Sequence, residues 1–421
     1  MSNKESKEKL FSDFPPVSAL EWKKKIEQDL KGNPFEKLIW KTLDGIDFQP
    51  FYTDEDITDK KYSRSLIELN TDFFPNNWDI REDIIADNIE SANEKALQAL
   101  NRGATSVAFI IPDDQKLNEK KFSSLLKGIY IDCIQLNFIS NNQGRIIPDL
   151  LEKEVAKKGI DANRINGFIN TDPIGYLSKT GNFCQSEKHD FEQAAEIIKD
   201  VSGKFPNLRT LGINASVFHN AGASSVHELG LGLSVIAEYL QQMTGSGIQP
   251  AVLSKVMQLN VSTGPVYFME IAKIRAFRLL FARLIQSWGV SDQAALKIFI
   301  HSSTSEWAQT AYDPYTNILR STTQSMSAVS GGVNSLTVIP FDKAFRKTTS
   351  FSERIARNTQ IILKEEAYFD KVNDPSAGSY YIESLTDSLI KHSWDLFLQI
   401  EEEGGYLKAF KSGREFSSQI I

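Results

Sequence analysis

The sequence predicts an α/β chain folded as a closed (β/α)8, or TIM, barrel behind an N-terminal arm, and three observations carry that expectation. From about residue 78, short β-branched or apolar runs alternate with longer amphipathic stretches, the pattern of repeated β-α units. Eight such strand-like runs follow one another, which suits a ring of parallel strands. A doubly wound open sheet rarely reaches eight consecutive units, and the glycine-rich phosphate turn that usually opens it is missing here.

In chain order, residues 1–70 form the arm: a polar start, Phe11 to Pro16, a helix near Ala19 to Leu30 containing Trp22, and strand-like alternation from Leu38 to Tyr52. So short a segment cannot bury Phe11, Phe14, Trp22, Phe35 and Trp40 by itself, so it is expected to lie on the barrel or on another chain. Residues 71–421 form the barrel with its C-terminal helices. Its strands are expected at Trp78–Ile85, Ala104–Ile111, Ile129–Phe138, Ile165–Asn170, Arg209–Asn214, Val256–Val261, Leu296–His301 and Val333–Ile339. Between them, Ser91–Asn101, Asn118–Lys127, Asp149–Lys157, Asp190–Ser202, Ser224–Gln242 and Val266–Ser287 are rich in good helix formers. Ser350–Glu366 and Leu385–Glu403 read as closing helices.

Composition narrows the function. With 41% hydrophobic and 24% charged residues the chain is globular, and 47 basic against 54 acidic residues leave a net charge of −7. No basic excess answers nucleic-acid phosphates or an anionic membrane. No apolar run approaches a membrane span, and the first ten residues lack the apolar core of a signal peptide, so a cytoplasmic protein is expected. Cys133 and Cys184 are too few for a disulfide framework and lack zinc-site spacing.

In a barrel of this type chemistry gathers at the carboxyl ends of the strands. The richest expected loop there runs Asn214-Ala-Ser-Val-Phe-His219-Asn-Ala-Gly-Ala-Ser-Ser225 into a helix with His227 and Glu228. His219 can serve as a general acid or hydrogen-bond donor; the more economical reading is a local hydrogen-bonding group at a helix start, and His301 carries the same two readings. His219, His227, His301 and Glu228 do not have metal-ligand spacing, and no metal is expected. Gly331-Gly332 lacks the frame of a phosphate loop and reads as a tight helix-to-strand turn.

A series of motifs then brings a family into view. Asn220-Ala-Gly-Ala-Ser, Phe268-Met-Glu-Ile-Ala-Lys-Ile-Arg-Ala276, Asp313-Pro-Tyr-Thr-Asn317, Gly331-Gly-Val-Asn-Ser-Leu336, Phe341-Asp342, Ala356-Arg-Asn-Thr-Gln360 and Asp374-Pro-Ser-Ala-Gly-Ser-Tyr380 occur in the order in which they stand in methylmalonyl-CoA mutases, and the chain resembles that family along its length. The resemblance implies a barrel that binds acyl-CoA along its axis and caps adenosylcobalamin, whose cobalt is held by a histidine of a separate C-terminal domain with an Asp-x-His-x-x-Gly motif. That cobalamin-binding domain is not expected in this sequence; the nearest string, Val217-Phe-His219-Asn-Ala-Gly222, lacks the aspartate.

The departures from the family pattern are as informative as the matches. Against the catalytic chains, the tyrosine five residues after the tryptophan of Trp78-Asp-Ile-Arg81 falls on Asp83, and the arginine two before it on Asn76. The catalytic histidine falls on Val217, the Arg-x-Ser pair on Val256 and Gln258, and the glutamine after the seventh-strand histidine on Ser303. A His and an Asn of the Gly-Gly segment become Thr337 and Ile339. No catalytic residue is therefore expected on this chain, only a vestigial cavity near Asn214, His219, His301 and Thr337.

The resemblance is to the small, or beta, subunit of a heterodimeric mutase. It implies a large (alpha) subunit as partner that binds adenosylcobalamin and interconverts methylmalonyl-CoA and succinyl-CoA, with no cofactor on this chain alone. Two alternatives stand beside it: a catalytic barrel of a related acyl-CoA mutase whose cobalamin domain is a separate chain, and a non-mutase binding or assembly protein using a degenerate barrel.

Overall fold

The structure is a computed structural model, and it describes residues 17–57 and 76–413 of the 421-residue chain. Phe11, Phe14 and the arm boundary expected near residue 70 lie outside the described residues. The described arm begins with helix α1 (Ala19–Asp29), fixed by a capping box between Ser18 and Glu21. A two-strand hairpin follows, β1 (Trp40–Lys41) against β2 (Asp47–Phe48), its turn closed by Gly45 at φ 70°. Trp22 stacks on Phe51 and Trp40 on Phe48, while Phe48 and Tyr52 both pack on Tyr381 of the barrel's outer layer. Ile46 and Phe48 are buried by this docking, whereas Trp22 and Trp40 remain 53% and 54% exposed.

Eight parallel strands then close into one ring: β3 (Asp79–Ile85), β4 (Ser106–Ile110), β5 (Gln135–Ile139), β6 (Asn166–Thr171), β7 (Leu208–Asn214), β8 (Met257–Thr263), β9 (Phe299–Thr304) and β10 (Ser335–Thr337). Closure is made by the short β10, whose Ser335 pairs with His301 on one side and Asp79 on the other. The eight expected strands are all present, and the (β/α)8 barrel is the fold.

The surrounding layer comprises α2 (Ile89–Leu100), α3 (Glu119–Leu125), α4 (Ile147–Lys158), α5 (Pro173–Thr180), α6 (Glu187–Lys204), α7 (Ser216–Asn220), α8 (Ser225–Gly245), α9 (Pro250–Val256), α10 (Tyr267–Ser287), α11 (Thr316–Ser330), α12 (Ser350–Glu365), α13 (Tyr380–Glu402) and α14 (Tyr406–Lys411). Asn88, Asn118, Ser186, Ser224 and Thr349 start five of these helices by accepting an N–H of the first turn. None of the described helices is long and apolar enough to cross a membrane.

Some boundaries differ from expectation. Residues 129–134 form a turn that buries Ile129 and Ile131 ahead of β5, because an apolar run reads alike in a strand and in a packed turn. Val256 closes α9, which starts at Pro250, and Leu296 ends a 3-10 turn before β9. Helix α11 was not expected: its sequence TNILRSTTQSMSAVS is dominated by Ser and Thr, weak helix formers, and burial against the barrel overrides propensity. Gly331-Gly332 is the helix-to-strand turn after α11, with Gly332 at φ 85° and no room for a Cβ at Gly331 beside Ile274.

The core lies between sheet and helices in two clusters. One holds Ile84, Val107, Phe109, Leu136, Phe138 and Ile169 against α2, α3, α4 and α6. The other holds Leu211, Ile213, Leu259, Val261, Ile300 and Leu336 against the long helices α8, α10 and α13. These strand residues face outward, so the alternate residues fill the axis.

Candidate functional site at the barrel axis and mouth

A barrel of this class usually fills its axis with branched apolar side chains. Here the axis is polar. On β3 the outward Ile80 and Ile84 leave Asp79, Arg81 and Asp83 on the inner face. Arg81 Nε donates to Asp83 at 2.7 Å, and Thr337 donates to the same carboxylate from β10 at 3.2 Å. His301 Nδ1 lies 3.1 Å from Ser335 Oγ. Asn137 reaches Ser106 Oγ and Val107 O, both at 3.0 Å. Arg209 spans the interior, donating to Gln135 of β5 at 3.1 Å and Gln258 of β8 at 3.0 Å, with its guanidinium 3.6 Å above the Phe299 ring.

The chain of bonds continues to the mouth. Gln258 donates to Asn260, Asn260 to Asn214 and Asn214 to Asp172, whose carboxylate also accepts from Tyr239 OH and Gly175 N. Burial sets the electrostatics. It pushes Asp79 up to about 6, Arg209 down to about 10, and His301 well below the ordinary imidazole value, with the Arg81 charge adding to the last effect. His301 is therefore a neutral ring.

A second cluster sits beneath the loop after β7. Lys273 Nζ lies 2.6 Å from both Glu228 and Glu270 and donates to Ser262 O at 2.7 Å; all three side chains are almost wholly buried. Glu228 also takes the Ser262 N–H at 3.1 Å. Lys273 stays charged because two carboxylates face it, while burial pushes both Glu carboxyls up. His219 closes the cluster, Nε2 2.8 Å from Ser305 Oγ and Nδ1 3.7 Å from Glu228. Burial and the Lys273 charge push it down to about 4, so at neutral pH it is an uncharged hydrogen-bonding ring.

The positions expected from the sequence to differ from a catalytic chain lie within this fabric. Asn76 is buried and donates to Val329 O at 2.8 Å and Phe369 O at 3.3 Å, tying β3's approach to α11 and the segment before α13. Asp83 and Gln258 belong to the axial network just described. Val217 stands on α7, Val256 is buried at the end of α9, Ser303 is half-buried on β9, and Ile339 is buried with its N–H on Thr304. Of the four residues expected around a cavity, Asn214, His301 and Thr337 belong to the axial network and His219 to the mouth cluster. Each has a partner in the chain itself.

Sequence reasoning missed Arg209, Asp172 and Tyr239. The Asp-Arg-Asp alternation of β3 was the available signal, because a barrel strand that packs its isoleucines on helices must turn its charges to the axis. Among the described residues no group of three or more His, Cys, Asp or Glu side chains is arranged to hold a metal ion.

Comparison with known proteins gives this geometry a family. Residues 116–418 match the methylmalonyl-CoA mutase family. The methylmalonyl-CoA mutase small subunit of Porphyromonas gingivalis is 41% identical over 413 residues, covering 96% of this chain and 66% of that protein. The small subunit from Propionibacterium freudenreichii subsp. shermanii is 30% identical, covering 95% of this chain and 64% of the relative. The methylmalonyl-CoA mutase of Rhizobium meliloti is also 30% identical, over 93% and 59%. The chain thus spans about two thirds of the length of these small subunits and somewhat less of the last. The match to the family covers most of the chain, from ahead of β5 through the closing helices, and the chain belongs to the methylmalonyl-CoA mutase family.

Proposed function

We propose that this chain is the small, non-catalytic subunit of an adenosylcobalamin-dependent methylmalonyl-CoA mutase, working in the cytoplasm beside a large subunit that interconverts methylmalonyl-CoA and succinyl-CoA. The observation that carries the reading is the filled axis. A barrel that threads an acyl-CoA along its centre needs an open, small-lined passage, and here Arg81, Arg209, Gln258, His301 and Asn137 occupy that space, Arg209 bonding Gln258 and Gln135 and the others bonding Asp83, Asn260, Ser335 and Ser106 of the ring. Opening the passage would leave several buried donors and acceptors unpaired, each at a cost of about 1–3 kcal/mol. Asn214, His219, His301 and Thr337 are what the altered site has become: hydrogen-bonding posts of the scaffold.

The family resemblance puts the cobalt ligand on a histidine of a separate domain, and the histidines of this chain's mouth and axis are engaged within the barrel: His219 faces Ser305 and Glu228, His227 Nδ1 meets Ser224, and His301 is buried inside the ring. Adenosylcobalamin is assigned to the large subunit, and no step of the rearrangement is derived through residues of this one.

The aromatic arm, with Trp22 and Trp40 half-exposed, is the part of residues 1–70 offered to that partner. The test is an assay of the purified chain with adenosylcobalamin and methylmalonyl-CoA, alone and after adding the large subunit. Turnover only in the mixture is expected; isomerisation by the chain alone overturns the non-catalytic reading. Removing residues 1–50 should weaken co-purification with the large subunit, and undiminished co-purification would show that the arm is not the contact.

A further inference from the structure

Helix α8 is the centrepiece of the larger core cluster, and its first turn is held from outside the barrel. The leading N–H groups of any helix need acceptors. Ser224 Oγ takes the His227 N–H at 3.5 Å and meets His227 Nδ1 at 2.9 Å. The Val226 N–H goes instead to Asp44 Oδ1 at 2.9 Å, a carboxylate presented by the arm hairpin from 182 residues earlier in the chain. A carboxylate in this position also faces the positive end of the helix dipole.

The hairpin tip is built to hold that carboxylate still. Thr42 Oγ1 donates to Ile46 O at 2.8 Å, Gly45 N–H closes on Thr42 O at 3.2 Å, and Gly45 supplies the left-handed residue. Two residues beyond Val226 stands Glu228, which takes the Ser262 N–H and the Lys273 ammonium. The first turn of α8 therefore cannot tilt without moving Glu228 against β8 and α10.

The arm's own hold on the barrel is slight. Among its described side chains only Phe35, Ile46 and Phe48 are buried, the Phe48 and Tyr52 rings lie on Tyr381, and Leu43, beside Asp44 at the tip, is 74% exposed. An element with few buried contacts opens at low free energy.

We infer that the arm hairpin is a strap over the barrel mouth: docked, it adds Asp44 to the Ser224 cap of α8 and keeps Glu228 in its ion cluster; lifted, it leaves the Val226 N–H without its acceptor and loosens the Glu228, Ser262 and Lys273 contacts. A molecule gripping the exposed faces of Trp22 and Trp40 would thereby act on the mouth without touching it. The inference concerns contacts within this chain and stands whether or not the partner assigned above is correct.

Hydrogen-deuterium exchange of the intact chain tests it. Asp44→Ala should speed exchange about tenfold, the scale of a lost helix cap, in peptides covering residues 216–230. The informative peptide is 258–264, because the Ser262 amide touches Glu228 and not the arm; its exchange should quicken too. Trp40→Ala keeps Asp44 but removes the ring that stacks on Phe48, and should reproduce the pattern. Leu43→Ala, at the same tip, should exchange as the parent does. The strap is overturned if the change in Asp44→Ala is confined to Val226 and its neighbours while 258–264 is unmoved, or if Trp40→Ala leaves both peptides at the parent rate.

Discussion

Along the axis the polar side chains are mostly amides and guanidiniums that answer one another across the ring, whereas at the mouth Lys273 is locked between two carboxylates with a neutral histidine beside them. The axial groups spread their bonds over many partners, so losing one leaves most of the fabric intact. The mouth depends on a single cation. The mouth triad is also the more deeply buried, since Asp83, Gln135, Arg209 and Asn214 are only partly covered, and the difference teaches that deep burial with few partners per charge is what makes a polar interior brittle.

Breaking the mouth should have the largest effect. Lys273→Met leaves Glu228 and Glu270 buried against each other and should cost about 3–5 kcal/mol by urea unfolding. Adding Glu228→Gln and Glu270→Gln to that variant should recover most of the loss, because the charges would then be gone together. If the triple variant is no more stable than Lys273→Met, the cluster is not an ion-balance device.

Protonation separates the two regions further, because it acts on them with opposite sign. His219 has its folded pKa pushed to about 4, below the ordinary 6.5, so its contribution is present above pH 6.5 and is lost as pH falls through 4, by at most about 3 kcal/mol. Relative to His219→Gln, the parent chain should lose stability between pH 6.5 and 4. Asp79 has its folded pKa raised to about 6, above the ordinary 3.8, so its contribution is present below pH 3.8 and is lost as pH rises through 6. Asp79→Asn should thus be the more stable chain at pH 7, by about 2–3 kcal/mol, with the gap closing on acidification. Parallel unfolding curves at both pH values for either pair would refute the assignment.

Smaller effects sharpen the contrast. Asn76→Ala strips the donor from two carbonyls and should cost about 1–2 kcal/mol. In a complex reconstituted with the large subunit, His219→Ala should leave turnover within about twofold at neutral pH, as fits a hydrogen-bonding post; a loss beyond tenfold in kcat would restore a chemical role to this ring.

How much of this was legible in the sequence depends on which face of each element is considered. The outward apolar residues of β3 to β10 carried the strand count, because alternation and apolar runs report packing against helices. Helix α11 stayed hidden since its serines are buried by tertiary contacts that propensity does not register. The positions proposed to depart from the catalytic pattern could be reached by counting from Trp78 and from Met269. What they now do could not, because Asp83 meeting Thr337 and Arg209 meeting Gln135 are contacts across 254 and 74 residues of sequence. Glu270 and Lys273, three apart on a helix, look like an ordinary solvent-facing pair; only the arrival of Glu228 from α8 makes them a buried triad.

Arg209, described above as spanning the interior, also bears on how such a barrel can be taken apart or assembled. It sits on β7 and is held by side chains of β5 and β8, with its plane on a ring from β9. A fragment ending after β6 would keep Arg81 with Asp83 but lose the Thr337 hydroxyl that donates to Asp83 and the Arg209 guanidinium that donates to Gln135, and the reverse fragment would carry that guanidinium short of one acceptor. Neither half is a self-sufficient module. Barrels with oily centres can be cut and recombined at their midpoint because hydrocarbon accepts any hydrocarbon; this one is wired across its diameter, so its eight units form a single indivisible cooperative ring, and gene fusions or permutations that preserve the spoke will be tolerated where equal cuts through it will not.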